Sequence, residues 1–309
     1  MSPSRRGGWS ACPPAYADRM APTSSLNTSA VWDVIVPSTP CPVPGVRMAG
    51  FADRGDDVPV DHRAIPHPAM SLMVEFGAAQ PVVSDAHGRE RRGSLVLGLD
   101  GLTSRTGQVH VRGRDIACVQ VRISPLVAAS LLDGSPRELS GVIDLEDVWG
   151  RTAIELRERL ALAPTWRERF TILTSHISRS NSRARVDGEV AWAWRRISAT
   201  RGRVRVTDLA EDVGWSRKRL WARFRTQIGL SPKQAGRLVR FDHAARRLAA
   251  GQAVAAVAAE CGYADQSHLH RETVAHAGLT PRQVHGEPWL SVDPVAWPEN
   301  GRPHDRLHT

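Results

Sequence analysis

Cysteine and long apolar runs are both scarce in this sequence of 309 residues. The four cysteines are far apart and form no C-x-x-C pair, which excludes the usual zinc-binding spacings and a disulfide framework. No stretch of about 18 apolar residues is present, and no apolar signal-peptide segment follows the N-terminal arginines. We therefore expect a cytoplasmic protein without a membrane partner.

Signatures of catalysis and of metal binding are also missing. The sequence contains no G-x-S-x-G, no P-loop and no H-E-x-x-H. His62 and His67 are five residues apart in a proline-rich stretch, and no H-x-H pair accompanies them. We predict a protein that is not an enzyme and that needs no metal and no cofactor.

Positive charge is abundant and concentrated near the C-terminus. Residues 201–286 hold 13 arginines and 2 lysines against 4 aspartates and 3 glutamates, which accounts for eight of the nine net positive charges. A basic segment joined to a nearly neutral one indicates a polyanionic partner for the basic part.

The N-terminal part has the pattern of a β-rich domain. Residues 1–30 are rich in Pro, Ser, Ala and Gly and are predicted to be a disordered tail. Short apolar runs separated by Pro, Gly and Asp clusters then predict strands of a barrel or sandwich. The predicted strands are Val31–Val36, Val46–Phe51, Met70–Phe76, Ser94–Leu99, Val109–Val111 and Ile116–Ile123.

Helices are predicted to follow the strands. Ser124 and Pro125 are an N-cap and a first-turn proline, and further helical stretches run at about 146–160, 164–180 and 187–200. The predicted fold class is α+β, in several domains. A regulatory domain spans 31–180, an all-α domain spans 187–286, and a Trp-containing extension spans 287–309.

Two helix-turn-helix units are predicted within the all-α domain. In the first, a short helix containing Leu209 ends at Gly214, and Ser216 caps a second helix. In the second, Val254–Glu260 precedes a turn at Gly262 and another helix. A long helix beginning at Ser231-Pro232 is predicted to join the two units.

These segments resemble the DNA-binding domain of the AraC family of bacterial transcription regulators. The matching motifs, in chain order, are L-A-x-x-V-G-x-S at Leu209–Ser216, L-x-x-R-F at Leu220–Phe224, G-L-S-P at Gly229–Pro232, R-x-x-R-F-x-x-A at Arg237–Ala244, V-A-x-E-C-G-Y-A-D-Q-S-H-L at Val257–Leu269 and A-G-L-T-P at Ala277–Pro281. The sequence departs from the family pattern at two places. Many members have arginine at the position of Ala222, and many have Phe after the arginine in the last helix of the second unit, where this chain has Thr273-Val274.

The resemblance implies double-stranded promoter or operator DNA as the partner. Side chains on the outer faces of the second helices of the two units are the candidate contacts. Base-edge contacts are predicted for Lys218, Trp221, Ser267, His268 and Arg271. Phosphate contacts are predicted for Arg217, Arg219, Arg223, Arg225, Arg240 and Gln266.

The regulatory partners stay open at this point. The resemblance implies an N-terminal domain that binds a small-molecule effector or forms a homodimer, and an activator would also contact RNA polymerase. Two alternatives remain: a DNA alkyl-transfer or other DNA-modifying enzyme with an AraC-like domain, and an architectural DNA binder without sequence preference. The first needs a reactive cysteine; the second predicts little discrimination between sites.

Overall fold

A computed structural model describes residues 32–53, 59–85, 87–102, 109–132, 136–180 and 186–297. The predicted tail at 1–30 and the last residues of the predicted extension, 298–309, lie outside the described residues.

Antiparallel strands form two sheets in the N-terminal part. In chain order the strands are β1 (Trp32–Ile35), β2 (Val46–Asp53), β3 (Val60–Arg63), β4 (Met70–Glu75), β5 (Val82–Ser84), β6 (Glu90–Arg92), β7 (Leu95–Leu97), β8 (His110–Gly113), β9 (Ala117–Ile123) and β10 (Val142–Asp144). One sheet has the order β1-β2-β9-β4-β7-β10 and the other β3-β8-β5-β6. The sandwich-like architecture predicted from the apolar runs is confirmed.

The six-stranded sheet is buried on both faces, which explains why its strands are more continuously apolar than half-exposed strands. One face packs on the four-stranded sheet, where Leu95 and Leu97 share an apolar cluster with Val83. The other face carries Leu72 and Val121 and packs on the helices that follow.

Five helices accompany these sheets in the described residues: α1 (Leu99–Leu102), α2 (Pro125–Leu131), α3 (Leu145–Trp149), α4 (Arg151–Leu162) and α5 (Trp166–Ser180). The predicted start at Ser124 is confirmed, because the Ser124 hydroxyl accepts a hydrogen bond from the Leu126 amide. The indole of Trp149 donates a 3.0 Å hydrogen bond to the Leu131 carbonyl and ties α3 to the end of α2.

The C-terminal part is all-α, as predicted. Its helices are α6 (Gly188–Ala199), α7 (Val206–Asp212), α8 (Arg217–Ile228), α9 (Pro232–Ala249), α10 (Val254–Glu260), α11 (Gln266–Ala277), α12 (Pro281–Val284) and α13 (Pro288–Ala296). The long joining helix α9 begins with a reciprocal capping box between Ser231 and Gln234, as its Ser-Pro start leads one to expect.

The two parts of the chain are packed against each other. The apolar core of the N-terminal helices continues through α6 into α8 and α9. On the other side of the molecule, α13 packs against β1, β2, β3 and α9. Val292 and Trp297 are buried there beside Trp32 and Phe51. The C-terminal extension therefore bridges the sheets and the joining helix.

Candidate nucleic-acid interface

The first helix-turn-helix unit consists of α7, a turn at Gly214 and α8. Gly214 has a φ of 66°, a left-handed conformation that glycine adopts without steric cost. The Ser216 hydroxyl caps α8 by accepting a hydrogen bond from the Arg219 amide at 3.2 Å. Leu220 and Phe224 are fully buried, so the opposite face of α8 points to solvent.

The exposed face of α8 carries four of the predicted contact residues that can reach a partner: Arg217, Lys218, Trp221 and Arg225. Trp221 is 46% exposed, which is unusual for so large an apolar side chain. The guanidinium of Arg225 lies 5.2 Å from the centre of the Trp221 ring. The two side chains place a positive charge beside an exposed aromatic ring on this face.

Arg219 and Arg223 are exposed but already have partners within the protein. The guanidinium of Arg219 lies 4.4 Å from the centre of the Trp215 ring. Arg223 pairs with Asp187, with 2.6 Å between Nη2 and Oδ2. A phosphate contact from either arginine would have to share or replace these interactions.

The second unit consists of α10, a turn at Gly262 and α11. Gly262 has a φ of 77°, and the Asp265 carboxylate caps α11 by accepting a 2.6 Å hydrogen bond from the His268 amide. The outer face of α11 borders a broad groove together with the start of α10 and the start of α12. The groove is lined by Val254, Ala255, Gln266, Ser267, His270, Arg271, Thr280, Pro281 and Arg282.

A buried carboxylate holds α11 against the joining helix. The side chain of Glu272 is 2% exposed and accepts hydrogen bonds from Arg240 and Arg237 of α9. The Tyr263 hydroxyl donates to the same carboxylate at 3.3 Å. Burial raises the pKa of Tyr263 well above its ordinary value, so the phenol keeps its proton.

Two of the predicted DNA contacts lie in or beside this cluster. The guanidinium of Arg240, a predicted phosphate contact, pairs with Glu272, lies 4.9 Å from the centre of the Tyr263 ring and is 17% exposed, so a phosphate would have to share these interactions. His268 is half-buried edge-on against Tyr263. Its Nδ1 accepts a 3.4 Å hydrogen bond from the Ala264 amide. Both side chains serve the turn and the helix packing first.

Sequence reasoning missed two features of this site. Arg282 lies in the groove beside Arg271, and the Thr280-Pro281 helix start was the available signal for its position. The role of Glu272 as a buried acceptor for two arginines was not predicted either.

Residues 209–286 match a family model described as a helix-turn-helix domain. The C-terminal part of this chain therefore contains an AraC-type helix-turn-helix domain. Both predicted helix-turn-helix units lie within or at the edge of the matched residues, and the all-α arrangement around α9 agrees with the prediction. No curated protein sequence matches the chain.

Solved structures similar to this chain include ToxT from Vibrio cholerae and AraT from Geobacillus stearothermophilus. The P21 crystal form of ToxT has a TM-score of 0.47 at 11% identity and covers 79% of this chain and 98% of its own. ToxT bound to (E)-4-(8-methylnaphthalen-1-yl)but-3-enoic acid has a TM-score of 0.45 at 10% identity, with 79% and 99% covered. The C-terminal domain of AraT, a response regulator, has a TM-score of 0.32 at 20% identity, with 33% and 88% covered.

Two other kinds of site are absent from the part of the chain that the structure describes. No group of three or more His, Cys, Asp or Glu side chains is placed to hold a metal ion there. None of the helices in that part has the length and apolar character needed to span a membrane.

Proposed function

We propose that this AraC-type regulator reads an asymmetric, two-part DNA site with α8 and α11. The observation that carries the proposal is the matched construction of the two helices. Each is capped at its N-terminus by a side chain, buried on one face and exposed on the other, and both are packed against α9. Two such helices on one rigid support fit successive major-groove segments about one helical turn apart.

The proposed base contacts come from the exposed faces. Lys218 and Trp221 of α8, with Ser267 and Arg271 of α11, are the candidates. Arg271 is suited to a guanine edge, since arginine donates two parallel hydrogen bonds to O6 and N7. Trp221 is suited to an apolar contact with a thymine methyl group. His268 is a weaker candidate because of its contacts with Tyr263.

The proposed phosphate contacts set affinity and register. Arg217, Arg225 and Gln266 are exposed near the N-terminus or along the outer face of the two helices. Arg219 and Arg223 join this set if they give up their internal partners, and Arg282 is added from the groove. Such contacts make binding steeply dependent on salt but carry no sequence information.

Regulation is assigned to the N-terminal domain, through a small-molecule effector or through a homodimer. The shared core and the bridging helix α13 support this assignment, because packed side chains connect the space between the sheets to α9 and can transmit a structural change. If the regulator is an activator working in the cytoplasm, RNA polymerase is a further partner. Among the described residues, Cys118 and Cys261 are buried, a setting that does not favour the DNA-modifying alternative, which needs a reactive cysteine.

Selection of random duplex DNA by the full-length protein tests the two-part site, followed by salt-titrated binding of the selected sequences. We expect enrichment of two half-sites about one turn apart. A second copy of the pair in tandem or inverted order would add dimerisation. Enrichment of a single half-site would mean that one unit contacts only the DNA backbone. Equal binding to all sequences would favour the architectural alternative.

A further inference from the structure

A largely enclosed cavity of about 50 Å³ lies between the two sheets of the N-terminal domain. Most of its wall is apolar, contributed by both sheets and by the segment before β9. The apolar lining residues are Trp32, Ala64, Ile65, Met73, Val83, Leu97, Val111, Ile116 and Cys118.

One part of the wall is polar and contains groups with unmet hydrogen-bonding capacity. His67 Nε2 and Ser71 Oγ are 2.9 Å apart, and Gln120 Nε2 donates to the same Ser71 oxygen at 3.3 Å. His67 Nδ1 and Gln120 Oε1 are both buried without a hydrogen-bond partner. Because an unpaired buried polar atom is costly, two of them on one cavity wall point to a ligand that completes them.

The protonation state of His67 defines what this wall offers. Burial, reinforced by the positive charges of Arg122, Arg246 and Arg47, holds the pKa of His67 well below its usual value. A neutral imidazole has one donor and one acceptor nitrogen. Ser71 receives the hydrogen bond from Gln120 and can therefore give its own proton to Nε2, which leaves Nδ1–H as a donor. The Gln120 oxygen is an acceptor.

The lining itself provides little support for an anion, because the arginines whose charge reaches His67 lie outside it, and Arg122 and Arg246 are paired with Asp293. Apart from the histidines, Arg63 is the ionisable cation among the described lining residues, and its Nη1 donates to the Gly278 carbonyl at 3.3 Å. A carboxylate placed at the polar wall would meet the Gln120 oxygen, which repels it. Burying a charge without a partner is far more costly than burying a hydroxyl.

We propose that this cavity binds a compact, uncharged and mostly apolar molecule with one hydroxyl or amide group, which accepts a hydrogen bond from His67 and donates one to Gln120. One water molecule needs about 10–15 Å³ of cavity volume measured in the same way. The cavity therefore exceeds the space of a single water, and a small ring fits once the flexible Met73 side chain moves. Its role as an effector rests on the proposed regulatory function. Arg122, which binds α13, lies two residues from Gln120 along β9 and on the same face.

Calorimetric titration of the full-length protein with phenol, benzene and benzoate tests the inference. We expect phenol to bind about tenfold more tightly than benzene, since its hydroxyl completes the unpaired groups, and more tightly than benzoate. In Gln120→Met, phenol binding should weaken about tenfold while benzene binding is retained. The matched control Gln80→Met makes the same change on the surface and should leave all three affinities unchanged.

Several outcomes would overturn the proposal: no binding of phenol, equal binding of phenol and benzene, tighter binding of benzoate, or a phenol affinity unaffected by Gln120→Met. If that variant does not fold, Ser71→Ala removes the hydrogen bonds that link His67 to Gln120 and should give the same loss of phenol affinity. Phenol binding without any effect on DNA affinity would support the ligand site and remove its effector role. If the protein selects a two-part DNA site but does not bind phenol, the proposed DNA-reading function stands and the ligand site is overturned.

Discussion

Arg122 donates a 2.6 Å hydrogen bond to Asp293, which lies 171 residues further along the chain, and both side chains are buried. The other carboxylate oxygen of Asp293 is 2.5 Å from Nη1 of Arg246 on α9. The Trp297 ring covers the Arg122 guanidinium at 4.3 Å. One carboxylate on α13 thus connects the central sheet to the helix that carries both DNA-binding units.

Replacing Asp293 should loosen this connection. In Asp293→Asn the carboxylate charge is lost. The buried Arg122 is left without its counterion, while Arg246 keeps its ion pair with Asp242. We expect the free energy of unfolding to fall by about 3 kcal/mol, because removing one partner strands a buried charge. Denaturant unfolding measures the loss, and hydrogen exchange should show faster opening of α9 and α13.

The exposed Asp212 offers a matched control, since Asp212→Asn makes the same change at the end of α7. It should alter stability by less than about 0.5 kcal/mol. Equal stability of the wild type and Asp293→Asn would show that the ion pair does not hold the two parts of the molecule together.

A second buried carboxylate, Glu272, should fix the position of α11, the proposed reading helix of the second unit. Glu272→Gln keeps the shape of the side chain but weakens its hydrogen bonds to Arg237 and Arg240. We expect a loss of about 2 kcal/mol in stability and weaker binding at one half-site only, because charge-assisted hydrogen bonds are the stronger kind. Footprinting on a selected DNA site measures the half-site effect.

The same change at the exposed Glu211 is the control for this variant. Glu211→Gln should leave both half-sites protected. Uniform loss of protection across the whole site in Glu272→Gln would contradict a role confined to α11.

Local signals in the sequence predicted most of the elements, because capping and turn chemistry act within a few residues. Ser124, Ser216 and Ser231 cap the helices that their patterns predict. Short polar strands such as β6 (Glu90–Arg92) were missed, since three residues carry too little alternation to be distinguished from a loop.

Long-range relationships could not be predicted in the same way. Arg240 occupies a helix position that looks suitable for phosphate contact, and only the approach of Glu272 from another helix turns it inward. The pairing of Arg122 with Asp293 joins distant segments, and no local pattern marks either residue. The packing of Trp297 on the sheet likewise joins distant segments of the chain.

The two proposed kinds of DNA contact should respond differently to substitution. Arg271→Ala should cost about 1–3 kcal/mol at the preferred base pair and relax specificity there. Arg217→Ala should weaken specific and random DNA alike and reduce the salt slope by about one unit. Binding titrations on selected and scrambled duplexes at several salt concentrations separate the two effects.

Arg159, exposed on α4 in the N-terminal domain, provides the matched arginine control. Arg159→Ala should leave both the affinity and the salt slope unchanged. Equal losses on selected and scrambled DNA for Arg271→Ala would assign Arg271 to the backbone instead of the bases.

His276 should make the protein less stable at acidic pH. Its ring is buried and stacked on Phe241 at 4.8 Å, and burial lowers its pKa from 6.5 to about 4. The unfolded chain therefore binds a proton between these two values while the folded protein does not. Its contribution to stability is complete above pH 6.5 and falls as the pH decreases toward 4.

Comparison of unfolding at pH 7.5 and pH 5.0 in the wild type and His276→Leu measures this effect. At 1.36 kcal/mol per pKa unit, one such histidine accounts for about 2 kcal/mol of the difference between the two conditions. The difference should shrink by that amount in the variant, while the buried His67 continues to act in the same direction. His270→Leu, on the exposed face of α11, should keep the wild-type difference; a similar reduction there would mean that His276 is not the source.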